Sequence, residues 1–349
     1  MASSGRRRYY LAMTRKTNSV PGIRDVAKLA GVSVATASRV IAKADYPVAK
    51  VTRERVIEAA RTLGFVRNAM ARGLSRSRSE SVGVIVPALH AYYAAMIEGI
   101  DEAASRQGLT ILLGLSRGDE AKREHLVTEF LERRVDGLLI CAGADDHLPG
   151  RTPAEMPVPT VLIGQQPNPG FPIVVTDNVA AGHEVAKHLW SLGHRAFAYL
   201  APDSGWHDFQ DRQVGVAAFL RETGENYKLD VLDGIYSEAD AFSRVAEALD
   251  GGLAATAVIA STDRHALGAM AALSDAGRRV PDAVAVVGFD NYLTSQYLRP
   301  ALTSMHMPAG EMGRLGLETL AAAIAGHQVP MRSELRATLV ARGSSVPSP

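Results

Sequence analysis

Residues 33–39 (SVATASR) combine hydroxyls, small apolar groups and one guanidinium within two helical turns. Such a set can read a nucleic acid. Arg39 suits a bidentate pair with a guanine edge, and Val34 and Ala35 suit a thymine methyl. Ser33, Thr36 and Ser38 can donate to phosphates or base edges. The plainer alternative is a small-residue helix that only packs on its neighbour. Charge decides between the two. Residues 1–80 hold 17 Lys+Arg against 5 Asp+Glu, a net of +12, while the rest of the chain carries −11. One end therefore suits a polyanion and the remainder repels it.

Other chemistry finds little support. Cys141 is the single cysteine among 349 residues. It ends an apolar run and reads as a small buried hydrophobe. With no disulfide possible within the chain, a reducing cytoplasm is the expected setting. His183 and His188 are five apart and do not share a helix face, so they cannot chelate a metal as an i, i+4 pair does. Asp145, Asp146 and His147 read as a solvated polar loop. A phosphate loop ending in Gly-Lys-Ser/Thr and a Gly-x-Ser-x-Gly nucleophile turn are both missing from the sequence. These readings predict no catalytic residue, no metal and no cofactor. No apolar run reaches the length of a membrane span.

The elements that would position these groups follow from periodicity. Residues 1–21 read as a disordered basic arm. In 23–30, Ile23, Val26, Ala27 and Ala30 share one helical face. Gly31 should end that helix in a left-handed turn. Ser33 should cap a second helix over 34–41, and Thr52 a third over 53–63, stopped by Gly64. The three make an all-α unit over 22–67. Residues 68–80 are small, polar and basic and read as a linker. From 81 onward, apolar strands (82–86, 110–113, 137–141, 160–163, 196–200, 257–260, 284–287) alternate with helices (94–106, 120–133, 180–191, 212–222, 239–249, 265–276, 311–325). Alternation of this kind implies α/β architecture with parallel sheets. The span is too long for one sheet, so two lobes with a cleft between them are expected over 81–343. The remainder, 344–349, reads as a disordered tail.

These segments carry a family resemblance. Residues 23–40 (IRDVAKLAGVSVATASRV) closely resemble the helix-turn-helix headpiece of the lactose-repressor (LacI/GalR) family. Residues 52–65 (TRERVIEAARTLGF) and 67–74 (RNAMARGL) resemble its third helix and its hinge. VGVIVP at 82–87, RVDGLLI at 134–140, GHR at 193–195, VPD at 280–282 and VGFD at 287–290 match its sensing domain in order. Together these cover 22–343. The resemblance implies a headpiece joined to a two-lobed sensing domain like a periplasmic binding protein. Lobe 1 would span about 81–163 and 292–323, and lobe 2 about 164–291 and 324–343. It implies a transcriptional regulator, repression being the commoner mode, with paired headpieces of a homodimer on a palindromic operator. The hinge from Asn68 would order on DNA, with Leu74 wedged into the minor groove. Gly73 before it departs from good helix formers.

By resemblance, effector contacts fall on Tyr92, Tyr93, Arg212, Tyr236, Thr262 and Asp290. These types suit a polyol, with aromatic faces and charged hydrogen bonds to hydroxyls. Trp206 offers a second stacking face. The plainer alternatives are core for Tyr92 or Tyr93 and surface for Tyr236. Gly164 stands where family members often carry an acid, so a sugar acid or another polar metabolite is as open as a simple hexose. Two readings compete with a regulator. A solute-binding protein of a transporter would lack the basic headpiece, and an α/β enzyme would need a constellation that the sequence does not offer.

Overall fold

The computed structural model describes residues 21–42, 47–66, 78–141, 151–164, 170–202 and 207–346. The basic arm, Asn68, Gly73, Leu74, the 145–147 loop and Trp206 lie outside the described residues. The chain divides into two compact units at Ser77/Arg78.

The first unit holds α1 (Ile23–Ala30), α2 (Val34–Ile41) and α3 (Lys50–Thr62). Gly31 closes α1 at φ 63°, ψ 41°, with its N–H turned back to the Ala27 and Lys28 carbonyls. Ser33 caps α2, its Oγ accepting from Thr36 N at 3.1 Å. Such a cap stabilises by about 1 kcal/mol. Thr52 is not a cap. Helical bonding begins earlier, with Arg53 N on the Ala49 carbonyl at 3.0 Å, and Ala49 is the N-cap residue of α3. Val26, Ala27, Ala30, Ala37, Val40, Val56 and Ala59 form the small core.

The second unit begins at Arg78, earlier than composition suggested. The Arg78 guanidinium donates to the Ile324 carbonyl at 2.8 Å, and the Asp136 carboxylate accepts from the Ser79 and Glu80 backbone N–H groups. Two sheets follow. The first takes β1 (Ser81–Val86), β2 (Thr110–Leu115), β3 (Gly137–Cys141), β4 (Thr160–Ile163), β5 (Ile173–Thr176) and β11 (Arg332–Leu335). Their order is β11-β5-β4-β3-β1-β2, all parallel. The second takes β6 (Ala196–Leu200), β7 (Lys228–Leu232), β8 (Ala257–Ala260), β9 (Ala285–Phe289), β10 (Thr303–His306) and β12 (Thr338–Val340) in the order β12-β10-β9-β8-β6-β7. Only β12 runs antiparallel.

Helices α4 (Ala91–Gln107), α5 (Glu120–Glu132) and α10 (Ala309–Ile324) cover the first sheet. The second is covered by α6 (Asn178–Ser191), α7 (His207–Glu222), α8 (Glu238–Asp250) and α9 (Asp263–Asp275). Central strands such as β1, β3 and β8 are buried along their length, as strands covered on both faces must be. Cys141 is buried at the end of β3.

The lobe boundaries differ from the expected ones. β5 pairs with β4 and β11, so 173–176 and 332–335 belong to the first sheet. β10 pairs with β9 and β12, so 303–306 belongs to the second. The chain thus crosses between sheets three times, at 176–178, 306–309 and 335–338. The crossings lie side by side, because Thr176 pairs with Leu335 and His306 with Thr338. The expected disordered tail from 344 also starts too early. Ser344 and Ser345 are buried. Ser344 Oγ accepts from Thr303 N and donates to the Val286 carbonyl, at 2.8 and 2.6 Å.

Candidate DNA-reading helix and effector cleft

On α2, Ala37 and Val40 face the core while Val34, Ala35, Ser38 and Arg39 are exposed. Val34 keeps 44% of its surface in solvent. Nearly half of an apolar β-branched residue is thus left uncovered on a short capped helix. The Ser33 and Thr36 hydroxyls bond each other at 2.9 Å. Ser33, Ser38 and Arg39 are polar groups of the exposed face. Gly31 and the Ser33 cap position this helix, since one turns the chain and the other fixes where the helix starts.

In the second unit a cavity of about 250 Å³ lies between the two sheets, at the C-terminal ends of their strands. That is where ligands bind in open α/β sheets. Tyr92, Tyr93, Arg212, Tyr236, Thr262 and Asp290 all line it. Lining the cavity does not stop the tyrosines from also being core or surface residues. Tyr93 is 6% exposed and belongs to the lobe 1 core, Tyr92 packs against the cores of both lobes, and Tyr236 is 53% exposed. Gly164 is not among the lining residues.

Arg212 is the fixed point of the site. It is buried at 3% exposure on α7. Its Nε donates to Asn178 Oδ1 at 2.8 Å and its Nη1 to the Ser261 carbonyl at 2.5 Å. Phe209 and Phe289 hold the guanidinium between their rings at 4.9 and 4.8 Å. Asn178 in turn donates to Asp208 at 2.7 Å. The α6–α7 contact that carries this chain is close, because Gly182 packs on the Arg212 backbone and a methyl there would overlap the Arg212 carbonyl. Nη2 makes no hydrogen bond among the described residues, which leaves a directed donor for a ligand.

Asp290 follows β9 with its backbone at φ 100°, a conformation strained for a residue with a side chain. Burial pushes its carboxyl up to about 7, against the pull of Arg212. The native state therefore holds a proton that the unfolded chain releases near pH 4, and stability falls as pH rises from about 4 to 7. Asp290→Asn should flatten that part of the stability curve, measured by urea unfolding at pH 5 and pH 8. An unchanged slope would mean that Asp290 does not titrate there. Asp263 behaves similarly, raised to about 6 by burial despite hydrogen bonds from Ser295, Ser304 and the Tyr292 backbone.

Several lining groups escaped sequence reasoning. Arg264 grips Glu238 through two bonds of 2.7 and 2.6 Å, and that hydrogen bonding holds the Glu238 carboxyl at about 2. His90 is lowered to about 4, by burial first and then by Arg264. Its Nδ1 meets the Tyr292 hydroxyl at 3.3 Å. Only the positions of these residues just after strand ends could have flagged them. Thr262 caps α9, its Oγ1 accepting from His265 N at 3.2 Å.

Comparison with known proteins decides the family. A transcriptional repressor PurR of Mannheimia succiniciproducens is 30% identical over 327 residues, covering 92% of this chain and 98% of the relative. Residues 22–68 match the bacterial regulatory proteins of the lacI family. The chain belongs to the LacI family. Residues 186–345 of this LacI-family chain also match a periplasmic binding protein-like domain. The lac repressor dimer bound to operator and an anti-inducer superposes with a TM-score of 0.86 at 26% identity, covering 94% of this chain and all of that one. A complex of the regulator CelR with cellobiose aligns at 30% identity and a TM-score of 0.70, covering 93% and 100%. The fold is therefore a helix-turn-helix headpiece followed by a two-sheet sensing domain, and the protein is a DNA-binding repressor of the LacI family. No described helix is long and apolar enough to cross a membrane.

Proposed function

We propose that the operator affinity of this repressor is set by a small polar effector held between the two lobes, of the sugar or sugar-acid class. The observation that carries the reading is the convergence of Arg212, Asp290, Thr262 and three tyrosines on one cavity. Aromatic faces with a directed guanidinium and a carboxyl suit hydroxyl-bearing ligands. A relative solved with cellobiose supports the class. A ligand that prefers one arrangement of the lobes shifts the population between them, and that preference is what couples the cleft to DNA.

On DNA, the reading assigns base edges to Val34, Ala35, Ser38 and Arg39, with Ser33 and Thr36 near the phosphates. It pairs two copies of the chain on a palindrome, with Asn68 and Leu74 as hinge contacts. Exposed Leu267 on α9 and exposed Leu293 and Tyr297 of the 293–297 turn supply apolar surface for a second copy. The repressor acts in the cytoplasm and catalyses no reaction in this reading.

Selection of sites from a randomised duplex pool, with the full chain at near-physiological salt, tests it. A palindrome of ~14–20 base pairs with a flexible central pyrimidine–purine step is expected. Its release by a monosaccharide or sugar acid completes the reading. Sequence-blind, salt-sensitive binding alone would overturn it.

A further inference from the structure

The cleft is crossed at one wall by a direct contact between lobes. His90 stands between β1 and α4, in the first lobe, and Tyr292 follows β9 in the second. The Tyr292 hydroxyl lies 3.3 Å from His90 Nδ1. Both side chains line the cavity. Burial and the nearby Arg264 lower the His90 pKa, so the ring is neutral at pH 7, and the hydroxyl that meets its Nδ1 also bonds the Asp290 carboxyl. The Tyr292 backbone is anchored at this wall, its N–H donating to Asp263 at 2.9 Å. Ser295, three residues on, is tied to the same carboxylate at 2.5 Å. His90 is packed as well, its ring 4.9 Å from that of Tyr93. The bonded Arg264–Glu238 pair reinforces this wall.

Size gives the contact a meaning. A cavity of about 150 Å³ is enough to hold one benzene ring. The space here, about 250 Å³, admits one ring with its polar substituents. Two linked rings need about twice the benzene figure, more than is present. Small-molecule pockets run from about 300 to 1,000 Å³, so this one is short for its kind.

We propose that the effector is a single-ring molecule of monosaccharide size, and that the His90–Tyr292 bridge is the stop that excludes two-ring homologues. The inference rests on the effector reading above and adds to it a length limit and the two residues that set it. It separates this chain from the relative seen with cellobiose, a two-ring ligand.

Binding of matched pairs tests the stop: glucose against cellobiose and maltose, galactose against lactose, with ribose, glucuronate and galacturonate as further single rings. Titration calorimetry on the full chain reads affinity, and a circular-dichroism melt checks each variant's fold. The wild type should bind at least one monosaccharide and prefer it over its two-ring homologue by at least tenfold, the lower end of what pocket size alone achieves (about 10–200-fold). Tyr292→Ala and His90→Ala should each erase most of that preference by admitting the longer sugar. Tyr292→Phe keeps the ring, loses the hydroxyl with its bonds to His90 and Asp290, guards against a folding defect and should relax the preference in the same direction.

A wild type that takes a disaccharide as tightly as its monosaccharide overturns the length limit. Variants that discriminate as sharply as the wild type overturn the role of the bridge. A wild type that answers to no sugar in the panel overturns the sugar reading of the site and this inference with it. That result is distinct from the other two, in which a sugar binds.

Discussion

Arg39→Ala is expected to lower affinity for the selected operator roughly 5- to 150-fold, the loss of one bidentate base contact worth about 1–3 kcal/mol. Arg39 is exposed at the C-terminal end of α2, on the face opposite the buried Ala37 and Val40. It lies outside the headpiece core, and the headpiece should melt as before. Selection repeated with the variant should show relaxed preference at one base pair of each half-site, with the other positions intact. Sequence-blind binding at low salt should persist, since it rests on the many basic groups of the unit. A Kd measured by fluorescence anisotropy on selected and scrambled duplexes separates these effects. Undiminished preference at every position would mean that another element reads the bases.

Arg212→Ala should have the largest effect on sensing. A hydrogen bond to a charged group contributes about 1.5–3 kcal/mol. Loss of one or two such bonds from Nη2 lowers effector affinity by at least about tenfold and up to roughly 10⁴-fold. Operator binding should survive, but the effector should no longer change it. The substitution also costs stability. Asn178 Oδ1 and the Ser261 carbonyl lose their donor, and Asp290 loses the cation that opposes its burial. Breaking a buried charge network in this way costs about 3–5 kcal/mol. Arg212→Lys keeps the charge without the planar fork and controls for that loss. Full effector response in the lysine variant would mean that the ligand meets a charge there and not a geometry. Titration calorimetry, with operator binding measured with and without ligand, reads both outcomes.

Much of this layout was legible where the code is local. Gly31 and Ser33 announce the turn and the second helix within three residues, and both do what their types demand. Thr52 misled because a good cap type sits inside a helix whose bonding starts at Ala49. Central strands showed as apolar runs, since both faces are covered. Edge strands did not. β7 (KLDVL) and β11 (RSEL) mix charge with apolar residues because one face is wet. Their pairing depends on partners far along the chain, and that is where the lobe boundaries went wrong. The cavity divides the same way. Arg212 and Asp290 carry family signatures. The Arg264–Glu238 and His90–Tyr292 contacts join residues 26 and 202 positions apart and leave no local trace.

The three side-by-side crossings between the sheets govern what motion can report. Two rigid bodies joined by one tether can tumble freely. Joined by three parallel straps, they can bend about the line through the straps, while sliding or twisting would stretch at least one of them. Each crossing is only a few residues long, with ordered strand or helix on either side, so there is little slack. Whatever occupies the cleft, its chemistry is converted into one angle. Ligands of unlike shape can then differ in how far they turn that angle, and hardly in which direction. Under the proposed function, the operator would receive a graded signal along a single coordinate.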